Sequence, residues 1–153
     1  MEARVRRADE RDLSSMESVI AQHWKVSVDH KKELANKDAV LLVAENIGEP
    51  ETVIGTGLMW ITGWNKTGYL VELAVDKAHL RKGVGKALVS EFSRIARQNQ
   101  LRAIIVETQP SNKDGVDFYL SNGFRLCGFH DRYYTNHPKS SKDIAIFLSL
   151  DLE

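Results

Sequence analysis

Only one cysteine, Cys127, occurs among the 153 residues, so no intrachain disulfide can form and nothing points to an oxidising compartment. A catalytic thiol would need an activated thiolate, and the surrounding RLCGF offers no neighbouring base. Cys127 therefore reads as a small packing residue. No run approaches the roughly 18 apolar residues that span a bilayer. The opening MEARVRRADERDL is charged throughout and lacks the apolar stretch of a signal peptide. A cytoplasmic protein with no membrane partner is expected. An excess of either charge is missing too, with lysine plus arginine and aspartate plus glutamate at 21 each. A dedicated nucleic-acid binder normally has a strong basic surplus, so no nucleic-acid partner is expected. The histidines have no metal-ligand spacing, and internal repeats, low-complexity tracts and linkers are all absent. With 42% hydrophobic residues, the chain can bury a core of its own as one domain over residues 1–153.

What is present is patterned. ARVRR alternates as a short edge strand, and Asp9 or Asp12 offers a helix start before Leu13, Met16, Val19 and Ile20, which recur on one face. A second helix is expected over Val28 to Ala35, opened by Ser27, with its polar residues outward. AVLLVAE is a near-continuous apolar run and reads as a buried strand. TVIGTGLMWI and YLVELAVD follow across short turns, which predicts an antiparallel meander. Val84, Ala87, Leu88, Phe92, Ile95 and Ala96 then fall at helical spacing, with Lys86, Ser90, Arg94 and Arg97 facing out. AIIVET is another apolar strand, and a strand–helix–strand unit of this length makes the two strands parallel. A short helix is expected around Gly115 to Ser121, stopped by Asn122-Gly123. FRLCGFH and IAIFLSL close the sheet as a hairpin, which could pair across two copies to give a homodimer.

The segment HLRKGVGKAL carries most of the functional signal. It fails as a P-loop, because Leu80 and Ala87 stand where a glycine and a hydroxyl are needed. It fails as a dinucleotide fingerprint, because Leu88 occupies the last glycine position. A more general anion site survives. Gly83 and Gly85 allow close approach of the backbone, and Val84 and its successors offer free N–H groups at a positive helix end. Arg81, Lys82 and Lys86 add charge, and a pyrophosphate would fit. A nucleotide phosphate is the weaker alternative ligand.

Taken together, YLVELAVDKAHLRKGVGKAL, IIVETQPSN and GVDFYLSNGF resemble the GNAT superfamily of N-acyltransferases that use acyl-coenzyme A, in the family's order and spacing from Tyr69 to Phe124. The meander before these motifs and the hairpin after them fit as well. The resemblance implies an α/β fold: a GNAT-like mixed sheet with an antiparallel N-terminal meander, a central parallel pair splayed to bind acyl-CoA, and about four flanking helices. One departure stands out: the first position of the family's Arg/Gln-x-x-Gly-x-Gly/Ala loop is Leu80, with Arg81 shifted by one. That puts one side-chain contact in question, because the family holds the pyrophosphate mostly by backbone N–H groups. Two branches look most similar. Ribosomal-protein alanine acetyltransferases resemble the chain at Glu107, Ser111-Asn112, Tyr119 and Tyr133-Tyr134, and streptothricin acetyltransferases at VETQ, FY, GF and IAIF.

The resemblance implies acetyl-CoA as co-substrate and an amine-bearing acceptor, which a small molecule, an antibiotic or a peptide N-terminus would satisfy. The exposed end of the strand before the loop, Leu73, Ala74 and Val75, would pair with the cofactor's amide-rich arm like an added strand. A lysine-like amine with a pKa of roughly 10.4 must lose a proton before it attacks, so a carboxylate base is needed. Glu107 ends an otherwise apolar strand and Glu72 is similarly flanked, and a charge is costly in either place without a purpose. The ribosomal-protein branch points to Glu107 and the streptothricin branch to Glu72. Glu107 is favoured for proton removal and Glu72 for acceptor binding. Tyr119 would give the leaving thiolate its proton, since the family places this tyrosine beside the sulfur and a phenol of ordinary pKa, near 10, matches a thiol. Asn112 would contact the cofactor backbone. Trp24, Trp60, Trp64, Tyr133 and Tyr134 could wall an acceptor pocket, with His130 as a secondary proton acceptor. A non-catalytic acyl-CoA-binding regulator is the alternative function, weakened by two carboxylates and a tyrosine that a pure binder does not need.

Overall fold

A computed structural model describes residues 2–140 and 144–153. Strand β1 (Ala3–Arg7) leads through a 3-10 turn at Glu10–Asp12 into α1 (Leu13–Ala21), α2 (His30–Ala35), β2 (Ala39–Asn46), β3 (Glu49–Thr62) and β4 (Thr67–Val75). Helix α3 (Val84–Gln98), β5 (Ala103–Thr108), α4 (Lys113–Ser121), β6 (Arg125–His130) and β7 (Ala145–Asp151) follow. Among the described residues the strands form one sheet in the order β1-β2-β3-β4-β5-β7-β6. β1 to β4 pair antiparallel, β4 and β5 parallel, and β7 lies between β5 and β6, antiparallel to both.

The near-continuous apolar character of β2 has a direct cause, because both of its faces are covered. Leu41 and Val43 pack with Met16, Val19 and Ile20 of α1, while Val40, Leu42 and Ala44 pack with Val84, Leu88, Phe92 and Ile95 of α3. Helix α3 buries the face expected of it, and Lys86, Ser90, Arg94 and Arg97 are exposed. The charge that ends β2's run, Glu45, is only 3% exposed but accepts from the guanidinium of Arg4 at 2.5 Å and that of Arg6 at 2.6 Å. Arg6 also pairs with Asp12, so the carboxylate is paired and hydrogen-bonded, as a buried charge must be.

Four local expectations are revised. Helix α2 starts at His30 rather than Val28, because Asp29, not Ser27, supplies the cap: its side chain accepts from the Lys32 N–H at 3.1 Å. His30, expected to face outward, is buried. Helix α4 begins at Lys113, ahead of Gly115, because Asn112 caps it. Cys127 is exposed rather than packed, because β6 is the outermost strand and nothing covers it; its thiol donates to the Phe147 carbonyl at 3.3 Å. Among the described residues no helix is long and apolar enough to cross a membrane.

Candidate active site

β4 and β5 pair only from Thr67/Ala103 to Leu70/Val106. Beyond that point β3 still holds β4 as far as Val75, and β7 still holds β5 as far as Thr108. The two central strands therefore part, each supported from its outer side, and a cleft of about 1150 Å3 opens between them. The hydrogen-bond parity of β4 fixes what faces this gap. Asp76 N–H donates to the Ile54 carbonyl at 2.8 Å, and antiparallel bonding alternates from there. Ala74 thus turns its peptide groups toward β3, whereas Leu73 and Val75 turn theirs into the opening. Of the three expected edge residues, two have backbone groups available there.

The turn after β4 closes one end of the cleft. Asp76 accepts from Gln22 Nε2 at 2.8 Å and from His79 Nδ1 at 2.5 Å, and Lys77 N–H donates to Gln22 Oε1 at 2.8 Å. The Gln22 and His79 bonds hold the Asp76 carboxyl below its usual range. The backbone then passes through left-handed conformations at Arg81 (φ 59) and Gly83 (φ 85) before α3 begins. The first intrahelical bond runs from Ala87 N–H to the Gly83 carbonyl, so the N–H groups of Val84, Gly85 and Lys86 are left without helical partners. Gly85 packs closely on α4: a β-carbon there would lie 3.0 Å from the Phe118 ring. That contact brings the turn against α4. Arg81, Lys82 and Lys86 are solvent-exposed around it.

Helix α4 supplies Tyr119, which lines the cleft with its ring held edge-on between Phe118 and Phe124 at 5.3 and 5.2 Å. Among the described residues its hydroxyl has no hydrogen-bond partner. The phenol does not keep its ordinary acidity: burial, and then the nearby charge of Glu107, push its pKa well up. Glu107 on β5 also lines the cleft and accepts a short hydrogen bond from the Tyr134 hydroxyl. Burial and that bond raise the Tyr134 pKa as well. Opposite, on β4, Glu72 lines the cleft at 7% exposure, with Oε1 accepting from His30 Nε2 at 2.7 Å.

Asn112 is engaged in a way the sequence did not show. Its Oδ1 accepts from Gly115 N–H at 3.2 Å and its Nδ2 donates to Thr108 Oγ1 at 3.1 Å. It borders the cleft as the cap of α4, with both polar ends engaged. Among the five aromatics suggested for an acceptor wall, Trp24 and Tyr134 line the cleft. Trp60 donates instead to Glu33 at 3.0 Å, Trp64 is 88% exposed, and Tyr133 bonds the Tyr69 hydroxyl at 3.1 Å. His130 is exposed and accepts from Arg132 N–H at 3.1 Å, away from the cleft. Sequence reasoning missed His23, in the turn that follows α1, which donates from Nε2 to the inward-facing Val75 carbonyl at 2.6 Å. It missed Gln22 and His30 too. All three reach β4 or its turn from residues more than forty positions away, and no local pattern signals such a contact. Among the described residues no cluster of three or more His, Cys, Asp or Glu could hold a metal.

Residues 5–124 match the acetyltransferase (GNAT) family. Streptothricin acetyltransferase A of Bacillus subtilis (strain 168) is 31% identical over 86 residues, covering 56% of this chain and 49% of that protein. The match therefore spans about half the length of that curated relative. Among solved structures, a putative streptothricin acetyltransferase from Bacillus anthracis str. Ames, in complex with acetyl coenzyme A, superposes with a TM-score of 0.83 at 19% identity, covering 98% of this chain and 99% of that one. The ribosomal-protein-S18-alanine N-acetyltransferase from Escherichia coli superposes with a TM-score of 0.81 at 16% identity, covering 99% and 95%. At these identities the superpositions establish a shared fold.

Proposed function

The chain belongs to the acetyltransferase (GNAT) family, and from that premise we propose that it is an N-acetyltransferase, moving an acetyl group from acetyl-CoA directly to a primary amine. The observation that carries this reading is the one-sided parting of β4 from β5. It leaves the peptide groups of Leu73 and Val75 facing a cleft with an anion-binding turn at one end and Tyr119 in its wall.

The residues present fit such a co-substrate. The N–H groups of Val84, Gly85 and Lys86, which have no helical partners, with Arg81 and Lys82 beside them, suit a diphosphate at a helix N-terminus. The Leu73 peptide groups and the Val75 N–H suit an amide-bearing arm laid along β4 as an added strand, the Val75 carbonyl being held by His23. Acetyl-CoA supplies an activated thioester carbonyl. A β4 N–H aimed at its oxygen would stabilise the charge that develops there, a contribution of about 3 kcal/mol for one well-placed donor. Glu72 presents a carboxylate that draws in a cationic amine. Glu107 takes the proton the amine must shed, and Tyr119 gives one to the departing sulfur. Tyr119's raised pKa keeps the phenol protonated, and so able to hydrogen-bond the departing sulfur, but makes it a weaker acid than an ordinary phenol.

Gly83→Val tests the turn. A β-branched residue at φ 85 costs on the order of 1–3 kcal/mol, and relieving that strain displaces the N–H groups of α3. Calorimetric acetyl-CoA affinity should fall by about tenfold or more, at about 1.4 kcal/mol per decade, while Glu72 and Glu107 are untouched.

The reaction itself is tested by supplying acetyl-CoA with a panel of amines, including streptothricin, alanine- or serine-ended peptides and simple diamines, and following CoA release. Release that depends on one of these amines is expected. Tight acetyl-CoA binding without turnover on any amine would instead favour a non-catalytic acyl-CoA-binding role, and ATP displacing CoA at micromolar levels would favour a nucleotide-phosphate binder.

A further inference from the structure

His30 is the side chain the proposed reaction leaves unused, and its setting is unusual. It is 1% exposed, on a six-residue helix otherwise rich in polar residues. Its Nε2 meets Glu72 Oε1 at 2.7 Å, too close for two lone pairs, so a proton lies between them. Its other nitrogen, Nδ1, is the one enclosed side-chain nitrogen or oxygen among the described residues that has no hydrogen bond. The nearest charge to Nδ1 is Glu17 Oε1 on α1, at 3.8 Å. Among the described residues Glu72 Oε2 also lacks a hydrogen bond, but it is not sealed in as Nδ1 is, and Glu72 lines the cleft. One carboxylate oxygen is thus fixed from behind by the imidazole, and the other is open to solvent or substrate.

We infer that His30 is a positioning residue that sets the charge of the acceptor subsite: it clamps Glu72 through Nε2–H and, by gaining or losing a proton at Nδ1, switches the subsite between a neutral ion pair and a bare carboxylate. This rests on the N-acetyltransferase reading and on Glu72 as the group that meets the cationic acceptor.

The charged groups that face His30 are Glu72 from β4 and Glu17 from α1. Both favour the imidazolium; burial opposes it, and Glu17, half-exposed, acts through solvent and is screened. The Glu72 bond dominates and lifts the His30 pKa above the ordinary 6.5. A charged His30 would also carry a proton on Nδ1, on the side facing Glu17. The sign of the functional effect follows. Below the His30 pKa, imidazolium and carboxylate cancel, and the subsite attracts an ammonium weakly. Above it, Glu72 keeps its place through Nε2–H but carries an uncompensated negative charge, and a cationic amine binds more tightly. Acceptor affinity should rise with pH through the His30 titration, while acetyl-CoA, held by the N–H groups of the turn and by backbone groups of β4 and not by the Glu72 carboxylate, should not respond.

Two measurements test this, with Glu17→Gln as a graded control. In the first, the imidazole 15N signals of the unliganded wild-type protein are titrated. His30 should titrate above 6.5, Glu72→Gln should lower its pKa by about one unit or more, and Glu17→Gln should lower it less. A His30 pKa at or below 6.5, or one that Glu72→Gln does not move, overturns the proposal. In the second, KM for an alkylamine acceptor of pKa about 10 is followed from pH 8.5 to 6, alongside kcat and the acetyl-CoA KM. Wild-type acceptor KM should climb at low pH by up to about tenfold per pH unit. His30→Gln, which keeps an amide donor for Glu72 but no titrating charge, should flatten that rise and leave the acetyl-CoA KM unchanged. An acceptor KM profile identical in the two proteins, in a variant with a wild-type melting transition, also overturns it. If no amine is acetylated at all, the enzymatic reading fails by itself, and the titration still decides whether Glu72 governs the charge of His30.

Discussion

Tyr119→Phe is expected to lower turnover by about a hundredfold or more, within the range of general acid catalysis, with acetyl-CoA affinity essentially unchanged. The substitution removes one oxygen that has no hydrogen-bond partner among the described residues and leaves the ring seated between Phe118 and Phe124. The lost group is therefore absent from both folding and ground-state binding, and its effect should fall on kcat. The raised phenol pKa means that the hydroxyl is protonated throughout the neutral range, so the loss on Tyr119→Phe should not vary with pH there. Parallel measurements of kcat and of calorimetric affinity for acetyl-CoA check it. An unchanged kcat would remove Tyr119 from the chemistry.

Phe92→Ala should have the largest effect on the fold, a loss of about 3–5 kcal/mol. Phe92 is 1% exposed at the centre of α3's buried face, in the same core as Leu42 of β2, Met59 of β3 and Ile104 of β5. Removing the ring leaves a cavity bounded by several strands at once, which no single element can collapse to fill. For a chain of this size, thermal unfolding should fall on the order of 10 °C. Tyr119→Phe should melt like the wild type, so the pair of variants separates loss of chemistry from loss of structure.

The sequence was legible where one physical constraint acts over many consecutive residues. Helix α3 must cover a sheet with one face, and Val84, Leu88, Phe92 and Ile95 mark that face; β2 is sandwiched between two helical layers, and its unbroken apolar run says so. The glycine turn was legible because few residues tolerate the backbone that Gly83 adopts there. Contacts made by single polar side chains over long sequence distances were not legible. SVDHKKEL carries no periodic sign that His30 turns inward to meet Glu72, and nothing near Asn112 shows that its amide is consumed in capping α4. Cys127 was misread because β6 is patterned as a covered strand but lies at the sheet edge. Tyr119's position followed from its motif, yet its altered acidity depends on burial, which a one-dimensional pattern does not contain.

A crystal of the protein soaked with acetyl-CoA tests the central claim most directly, namely that the parted β4 and β5 strands and the turn after β4 together form one acyl-CoA site. The expected density has the diphosphate on the N–H groups of Val84 to Lys86, the amide arm alongside Leu73 and Val75, and the sulfur beside the Tyr119 hydroxyl. An empty cleft at saturating ligand, or density bound elsewhere on the surface, would contradict it.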